Sequence, residues 1–275
     1  MALVEGKKEG QIGWLTLNRP EKLNALSSAM LKEFDAVFDD LENDPEIRCI
    51  IITGAGRSFS VGYDLSKEDY GIPHGEGSDR VRAYDDWVRL RANIDRWLRV
   101  WRCPKPVIAA ITGFCMGGAT QLAVCCDLTI VGKEVVIGWP KLPAGGGLLA
   151  PVSEWLIGPK RAKELAYIAG STFNGETAVE WGWANRAVEL DDVLPTALKI
   201  AKQIAHMPPD VMRIKKAALN RVMDLQGFSE MVYMGAEWDA IGHDSDGCAE
   251  IVDYLDKHGL KETIKWFNGE LELES

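Results

Sequence analysis

Short apolar runs alternate with amphipathic stretches over the first two thirds of the chain. The apolar runs predict strands at 11–17, 49–53, 107–111, 128–131, 135–137 and 187–189. The stretches between them repeat apolar residues at helical spacing and predict helices at 27–43, 78–101, 119–126, 148–156 and 161–168. Segment 67–77 is rich in glycine and charge and predicts a mobile loop. Strands that alternate with helices imply βαβ units and a largely parallel sheet.

The pattern changes at residue 191. Beyond it, apolar residues keep helical spacing and predict helices near 193–206, 210–224, 229–242 and 247–258. No apolar run of strand type interrupts this part of the sequence. We therefore predict an α/β core at 1–190 and a helical region at 191–275.

Composition and charge narrow the possible functions. The 275 residues are 47% hydrophobic, enough for one sizeable core, and the net charge of −10 gives no general attraction to nucleic acid or to anionic membranes. No apolar window is long enough to span a bilayer, and the amino terminus lacks the apolar core of a signal peptide. The six cysteines form no CxxC pair and no metal-type cluster with histidine, which favours a reducing compartment. We expect a cytoplasmic protein that binds neither nucleic acid nor membrane and holds no metal.

Two adjacent glycines, Gly117 and Gly118, separate a predicted strand from a predicted helix. The first amides of a helix lack partners inside it, and glycine lets the backbone approach another group closely. This arrangement suits an anionic or carbonyl oxygen bound at the start of the helix. Close packing of the helix on the strand is the alternative interpretation of the same glycines.

Four segments together resemble the crotonase (enoyl-CoA hydratase/isomerase) superfamily. They lie at 17–26 (LNRPEKLNAL), 50–65, 105–114 (KPVIAAITGF) and 117–118, and the resemblance runs in order through most of the chain. Four ordered motifs are far more specific than one glycine pair. The resemblance implies a crotonase-like spiral of ββα units with a helical C-terminal region, an acyl-CoA thioester as substrate, and assembly as a homotrimer or a dimer of trimers.

The resemblance also implies where the thioester is bound. In that family two backbone amides hold the thioester oxygen, and they correspond here to the amides of Tyr63 and Gly118. CoA is expected beside Lys22 and Ala25, and Trp139 is expected near the acyl pocket. The reaction then needs no cofactor, because CoA is part of the substrate. The core at 1–190 would carry this site, and the helical region would carry the oligomer contacts.

Two positions depart from the family's hydratase pattern. Its two glutamates correspond here to Gln121 and Lys141, and segment 141–147 is shorter than the family's usual version. An amide has no useful proton affinity, and an ammonium group stays charged unless burial lowers its pKa strongly. Neither side chain can therefore replace a carboxylate in proton transfer.

Three interpretations stay open. In the first, another acid or base serves; Asp64 is the nearest by sequence, although a loop-capping role is the alternative for this residue. Further candidates are Asp85, Asp86 and Glu154. In the second, Gln121 and Lys141 serve decarboxylation or C–C bond hydrolysis of a β-oxo acyl-CoA through the same enolate. In the third, the protein binds acyl-CoA without turning it over.

Overall fold

The structure is a computed structural model, and it describes residues 2–66, 83–139, 142, 150–168 and 170–269. Its strands are β1 Val4–Glu9, β2 Ile12–Leu17, β3 Cys49–Gly54, β4 Val107–Ile111, β5 Phe114–Met116, β6 Leu128–Gly132, β7 Val136–Gly138, β8 Thr172–Phe173 and β9 Arg186–Val188. Its helices are α1 Ser28–Asn43, α2 Ala83–Arg102, α3 Gly118–Cys125, α4 Ala150–Ile157, α5 Pro159–Tyr167, α6 Gly175–Glu180, α7 Val193–Ala205, α8 Pro209–Leu225, α9 Phe228–His243 and α10 Asp246–Gly269. Helix α10 is interrupted at Gly259, where φ is +74°.

The strands form two sheets. The larger has six strands in the order β1-β2-β3-β4-β6-β9, and the smaller has three in the order β5-β7-β8. In the larger sheet only β1 and β2 pair antiparallel, so the predicted parallel sheet is confirmed. In the smaller sheet β5 and β7 are parallel, whereas β7 and β8 are antiparallel.

Helices cover both faces of the larger sheet. On one face, α7 packs its small residues against a layer of buried side chains from β2, β3, β4 and β6; they are Ile12, Cys49, Ile51, Ile108, Ala110 and Ile130. The other face packs against α1, α2 and α3, where Phe34, Trp97 and Leu122 belong to the main hydrophobic core. Because both faces are buried, these strands appear in the sequence as continuous apolar runs.

The C-terminal part is helical over the residues described, as predicted. Helix α9 runs antiparallel to α2, with Trp101 stacked on Phe228 at one end and His243 Nδ1 bound 2.5 Å from Asp86 Oδ2 at the other. Among the described helices, none combines the length and apolarity needed to cross a membrane. Helices α7 and α9 both pack on elements from the first 190 residues. These contacts do not test the predicted division at residue 190, which stays a prediction.

Most predicted elements are present within two residues of their expected bounds. Ser27 caps α1 as predicted, because its side chain accepts a hydrogen bond from Met30 N at 3.2 Å. Helix α2 ends at Arg102, but its predicted start at 78 and the predicted loop at 67–77 lie outside the described residues.

The sequence analysis missed strands β1, β5 and β8 and helix α6. Strand β1 (VEGKKE) has four exposed residues and lies at the edge of its sheet, where lysines and glutamates are tolerated and discourage further pairing. Strands β5 and β8 have only three and two residues, too few to show an alternating pattern.

Candidate functional site

Two loops meet where the parallel strands β3 and β4 end. Segment 60–64 follows β3, and segment 114–118 follows β4. Ser60 N donates to Phe114 O at 3.0 Å, and Met116 N donates to Ser60 O at 3.1 Å. Because ligands of open parallel sheets bind beyond the carboxyl ends of the strands, these loops occupy the expected place for a site.

Glycines permit the close approach of these loops. At Gly62, φ is +91° and a Cβ would lie 3.1 Å from Gly118 N. At Gly118, a Cβ would lie 2.6 Å from Cε2 of the Tyr63 ring. Gly117 adopts a φ of +50° and donates its N–H to Gly138 O at 3.0 Å. Larger residues at these positions would force the two loops to shift.

The amides of Tyr63 and Gly118 donate no hydrogen bond to any residue that the structure describes. Leu26 engages the peptide groups around Tyr63, because its N–H donates to Gly62 O at 2.8 Å and its carbonyl accepts from Asp64 N at 3.2 Å. In this parallel bridge the N–H of Tyr63 points away from Leu26. Gly118 is the first residue of α3, so its N–H has no partner inside the helix. Both predicted amides can therefore donate to a ligand.

Asn24 connects the loop at 17–26 to these segments, a role that the sequence analysis missed. Its buried side chain donates from Nδ2 to Ser58 O at 2.7 Å and to Ala55 O at 3.0 Å, and Oδ1 accepts from Arg19 N at 2.8 Å. Its φ is +56°, a left-handed conformation that asparagine tolerates better than most residues. The available signal was an asparagine four residues after Pro20, because both residue types are typical of turns.

Lys22 and Ala25, the predicted CoA contacts, lie on this same loop. Lys22 is exposed and Ala25 is buried, and Ala25 N donates to Lys22 O at 3.1 Å. The next residue, Leu26, binds the Tyr63 segment, so the fold brings this loop to the candidate site. A contact between these residues and CoA stays a prediction.

The Tyr63 side chain links two helices through its hydroxyl. Trp97 Nε1 of α2 donates to Tyr63 Oη at 3.0 Å, and Tyr63 Oη donates to Gln121 Oε1 of α3 at 3.0 Å. Burial raises the pKa of the Tyr63 hydroxyl to about 12, so it stays protonated and available as a donor. The sequence placed Trp97 in a core stripe and gave no signal for this contact.

Asp64 is held in the loop by two partners. Arg19 Nη1 lies 2.5 Å from Asp64 Oδ2, and Ser66 N donates to Asp64 Oδ1 at 2.9 Å. Burial opposes ionisation of Asp64, but the hydrogen bonds from Arg19 and Ser66 outweigh it and lower the pKa of the carboxyl. These contacts match the loop-capping interpretation, since a carboxylate with a lowered pKa is a weak base.

The other candidate acids make no hydrogen bond to Tyr63 or Gly118 within the described residues. Asp85 and Glu154 are exposed. Asp86 is buried between α2 and α9, where it pairs with His243 and Arg89. Burial opposes its ionisation, but the hydrogen bond to His243 and the charge of Arg89 lower its pKa below the usual value.

Trp139 follows β7, directly after the carbonyl of Gly138 that binds Gly117 N. Its side chain is half-buried against the main core, and its enclosed indole N–H has no hydrogen-bond partner among the residues that the structure describes. This places Trp139 beside the glycine turn, and its position near an acyl pocket stays a prediction. Lys141 lies outside the described residues.

Comparisons with known proteins agree with this architecture. The sequence model of the family described as Enoyl-CoA hydratase/isomerase matches residues 7–237. The chain is 34% identical over 222 residues to a short-chain-enoyl-CoA hydratase of Clostridium acetobutylicum, covering 79% of this chain and 80% of that protein. It is 30% identical over 240 residues to a hydroxycinnamoyl-CoA hydratase-lyase of Pseudomonas fluorescens, covering 86% and 84%.

A solved structure extends the similarity to the whole fold. An enoyl-CoA hydratase/isomerase from Xanthobacter autotrophicus Py2 superposes with a TM-score of 0.89 at 33% identity, covering 98% of each chain. The predicted fold class, an α/β crotonase-like fold with a helical C-terminal region, is confirmed. A further relative, 30% identical over 225 residues, is named as a mitochondrial probable enoyl-CoA hydratase of Dictyostelium discoideum, so a cytoplasmic location stays a prediction here.

Proposed function

The chain belongs to the enoyl-CoA hydratase/isomerase family, and we propose that it binds an acyl-CoA thioester and polarises the thioester carbonyl with the main-chain amides of Tyr63 and Gly118. The observation that carries this proposal is that both amides lack an acceptor in the described structure while the peptide groups around them are paired. An unpaired N–H at this contact of two loops is costly unless a ligand or water supplies an oxygen.

Such a pair acts on the charge that develops during the reaction. When a proton or an acyl substituent leaves C2, electrons move onto the thioester oxygen, and two fixed donors stabilise that oxyanion. Removing one donor of such a pair typically costs about 3 kcal/mol of transition-state stabilisation. Gly118 lies at the start of α3, and the partial positive charge of this helix end also stabilises the oxyanion.

Hydration by a pair of carboxylates is not the reaction we favour. Gln121 is a neutral amide hydrogen-bonded to Tyr63, and Asp64 is engaged by Arg19 and Ser66. Decarboxylation or C–C bond cleavage of a β-oxo acyl-CoA depends chiefly on stabilising the enolate, so it is compatible with an amide at position 121. Binding of acyl-CoA without turnover remains the alternative that an activity assay decides.

The proposed assembly is a homotrimer or a dimer of trimers. Support comes from exposed apolar residues along α8, which the single chain leaves open to solvent; they are Val211, Ile214, Leu219, Val222 and Leu225. Apolar surface of this kind marks contact sites more often than free surface. The molar mass in solution, measured by light scattering, tests this assembly.

The vibrational frequency of the bound carbonyl tests the two amides. Butyryl-CoA labelled with 13C at the thioester carbon should show a lower C=O stretching frequency on the protein than in water, because both fixed donors polarise the carbonyl. In Gly118→Ala the new Cβ meets the Tyr63 ring at 2.6 Å, so the amide shifts, the frequency change shrinks, and any turnover falls about 100- to 1000-fold.

Gly247→Ala is the matched control, because Gly247 also lies at the start of a helix and a Cβ there meets no atom of the described residues within 4 Å. It should keep the wild-type frequency. A bound carbonyl that vibrates as it does in water would refute the role of the two amides.

A further inference from the structure

Gln121 is held in one orientation by two hydrogen bonds in series. An indole N–H can only donate, so Trp97 occupies an acceptor position on Tyr63 Oη. The Tyr63 O–H is then free to donate, and its partner is Gln121 Oε1 at 3.0 Å. A carboxamide whose oxygen accepts from this hydroxyl must turn its NH2 group in another direction.

The NH2 group of Gln121 has no acceptor among the described residues, although the residue is only 5% exposed. Its nitrogen is not one of the fully enclosed side-chain atoms that lack a partner, so it keeps accessible surface at which a ligand can accept its hydrogen bonds. The oxygen of Gln121 already accepts from Tyr63, so the NH2 group is the part of the side chain without a partner among the described residues. This arrangement suits an acceptor atom that arrives with the substrate.

The position of Gln121 defines which part of a substrate it meets. It follows Gly118 by three residues in α3, so the two lie on the same helix face, where neighbours are about 5–6 Å apart. A thioester whose oxygen binds the Gly118 amide therefore has its first acyl carbons near the Gln121 amide.

We propose that Gln121 selects acyl-CoA substrates that carry a hydrogen-bond acceptor on these first acyl carbons, as in a 3-oxoacyl thioester, and that Tyr63 and Trp97 are its positioning residues. This inference rests on the proposed function and names the substrate class for the same site. Its physical basis is that a site built to hydrogen-bond an oxygen rejects an analogue without that oxygen, because the buried donor is then left unpaired.

Acetoacetyl-CoA and butyryl-CoA test the inference, because the first has a carbonyl oxygen at C3 and the second has none. Dissociation constants come from tryptophan fluorescence titrations read within seconds of mixing, before turnover. The wild type should bind acetoacetyl-CoA about 10-fold more tightly or better. In Gln121→Met the ratio of the two constants should fall to about one, because the thioether cannot donate.

Gln203→Met is the matched control, because Gln203 is exposed on α7, away from the candidate site. It should keep the wild-type ratio. Tyr63→Phe tests positioning separately, because it removes the hydroxyl but keeps the backbone amide, and it should also lower the ratio. Tyr233→Phe removes a tyrosine hydroxyl that donates to Asp95 on the protein surface, and it should keep the ratio.

Equal binding of the two thioesters by the wild type would overturn the inference and leave the proposed function standing. The same holds if Gln121→Met keeps the preference for acetoacetyl-CoA. If Gln121→Met fails to fold, Tyr63→Phe decides, and an unchanged ratio in that variant overturns the positioning role. If neither thioester binds the wild type, the proposed function itself is wrong.

Discussion

The polar groups near the two ends of strand β4 differ in whether they have hydrogen-bond partners within the chain. At its amino end, Lys216 is 6% exposed and its Nζ lies 2.7 Å from Asp127 Oδ2, which also accepts from Val107 N at 2.7 Å. Beyond its carboxyl end, the amides of Tyr63 and Gly118 donate to no described residue. One end is a closed network, and the other is a set of open donors.

The closed network stabilises the fold and offers little to a ligand. Lys216 Nζ has further contacts with Lys105 O at 3.1 Å and Val100 O at 3.4 Å, so all its partners belong to the chain. The open donors at the other end gain a partner only when a ligand arrives. The contrast teaches that buried charge alone does not indicate function; a missing partner is the more useful sign.

Breaking the closed network should have the largest effect on stability. Lys216→Met leaves the Asp127 carboxylate buried without its cation, and we expect the free energy of unfolding to fall by about 3–5 kcal/mol. Urea denaturation followed by circular dichroism measures the change. Lys215→Met, its exposed neighbour on α8, should change the value by less than about 0.5 kcal/mol.

The Lys216→Met variant also tests whether the network at the amino end of β4 affects ligand binding beyond its carboxyl end. Under conditions where Lys216→Met is folded, its affinity for butyryl-CoA should match that of the wild type. A large loss of affinity in the folded variant would mean that the network at the amino end supports the site directly.

Removing the Asn24 side chain, which holds the loops that carry the open donors, should have an intermediate effect on stability and a clear effect on binding. Asn24→Ala removes the acceptor for Arg19 N and the donors to Ala55 O and Ser58 O, and we expect a loss of about 2 kcal/mol in the free energy of unfolding. Because this loop carries the residue that pairs with the Tyr63 segment, affinity for butyryl-CoA should fall as well. Calorimetric titration measures the affinity.

Asn43→Ala is the control for this experiment. The Asn43 side chain is exposed and donates a hydrogen bond to Asp39 O at 2.9 Å, within its own helix. It should leave both stability and affinity close to those of the wild type. Unchanged affinity in Asn24→Ala would show that the Tyr63 segment holds its place without this loop.

The smallest expected effect concerns pH. The pKa of Asp64 is lowered in the folded state, so its contribution to stability is present above the pKa of the unfolded chain and is lost as pH falls through the folded pKa. Asp64→Asn should therefore cost about 1 kcal/mol near neutral pH, since the pair with Arg19 is partly exposed.

The difference between Asp64→Asn and the wild type should begin to shrink below about pH 4, the usual pKa of an aspartate in an unfolded chain, and should disappear as pH falls through the lower pKa of folded Asp64. Urea denaturation at neutral and acidic pH measures it. Asp40→Asn, at an exposed position on α1, is the control and should change the free energy of unfolding by less than about 0.5 kcal/mol. A constant difference across this range would exclude the charge of Asp64 as the source of its contribution.

The elements of the core could be predicted from local pattern. Apolar runs such as 107–111 and 128–131 form strands that are buried on both faces of the sheet. A continuous apolar run indicates this kind of strand. The cap at Ser27 also depends on neighbours along the chain. Strand β1 could not be found this way, because it lies at the edge of the sheet and its charged residues are exposed to solvent rather than buried in a core.

The site could be predicted only where a motif carried it. The motifs indicated Tyr63 and Gly118 as amides of interest, but nothing in them shows which carbonyls approach those nitrogens. Asn24 and Trp97 were missed because their partners lie far away in sequence, at Ser58 and Tyr63 respectively. A hydrogen bond between distant residues leaves no periodic trace in the chain.

The sequence by itself therefore determined most of the strands and helices of the core, the change to helix after residue 191, and the positions of the glycines that allow two loops to meet. Only the tertiary structure decided which backbone donors stay unpaired and which way the Gln121 amide points. The physical reason is range: helical and strand periods arise from neighbours, whereas the environment of Tyr63, Gly118 and Gln121 is made by segments that meet only after the chain has folded.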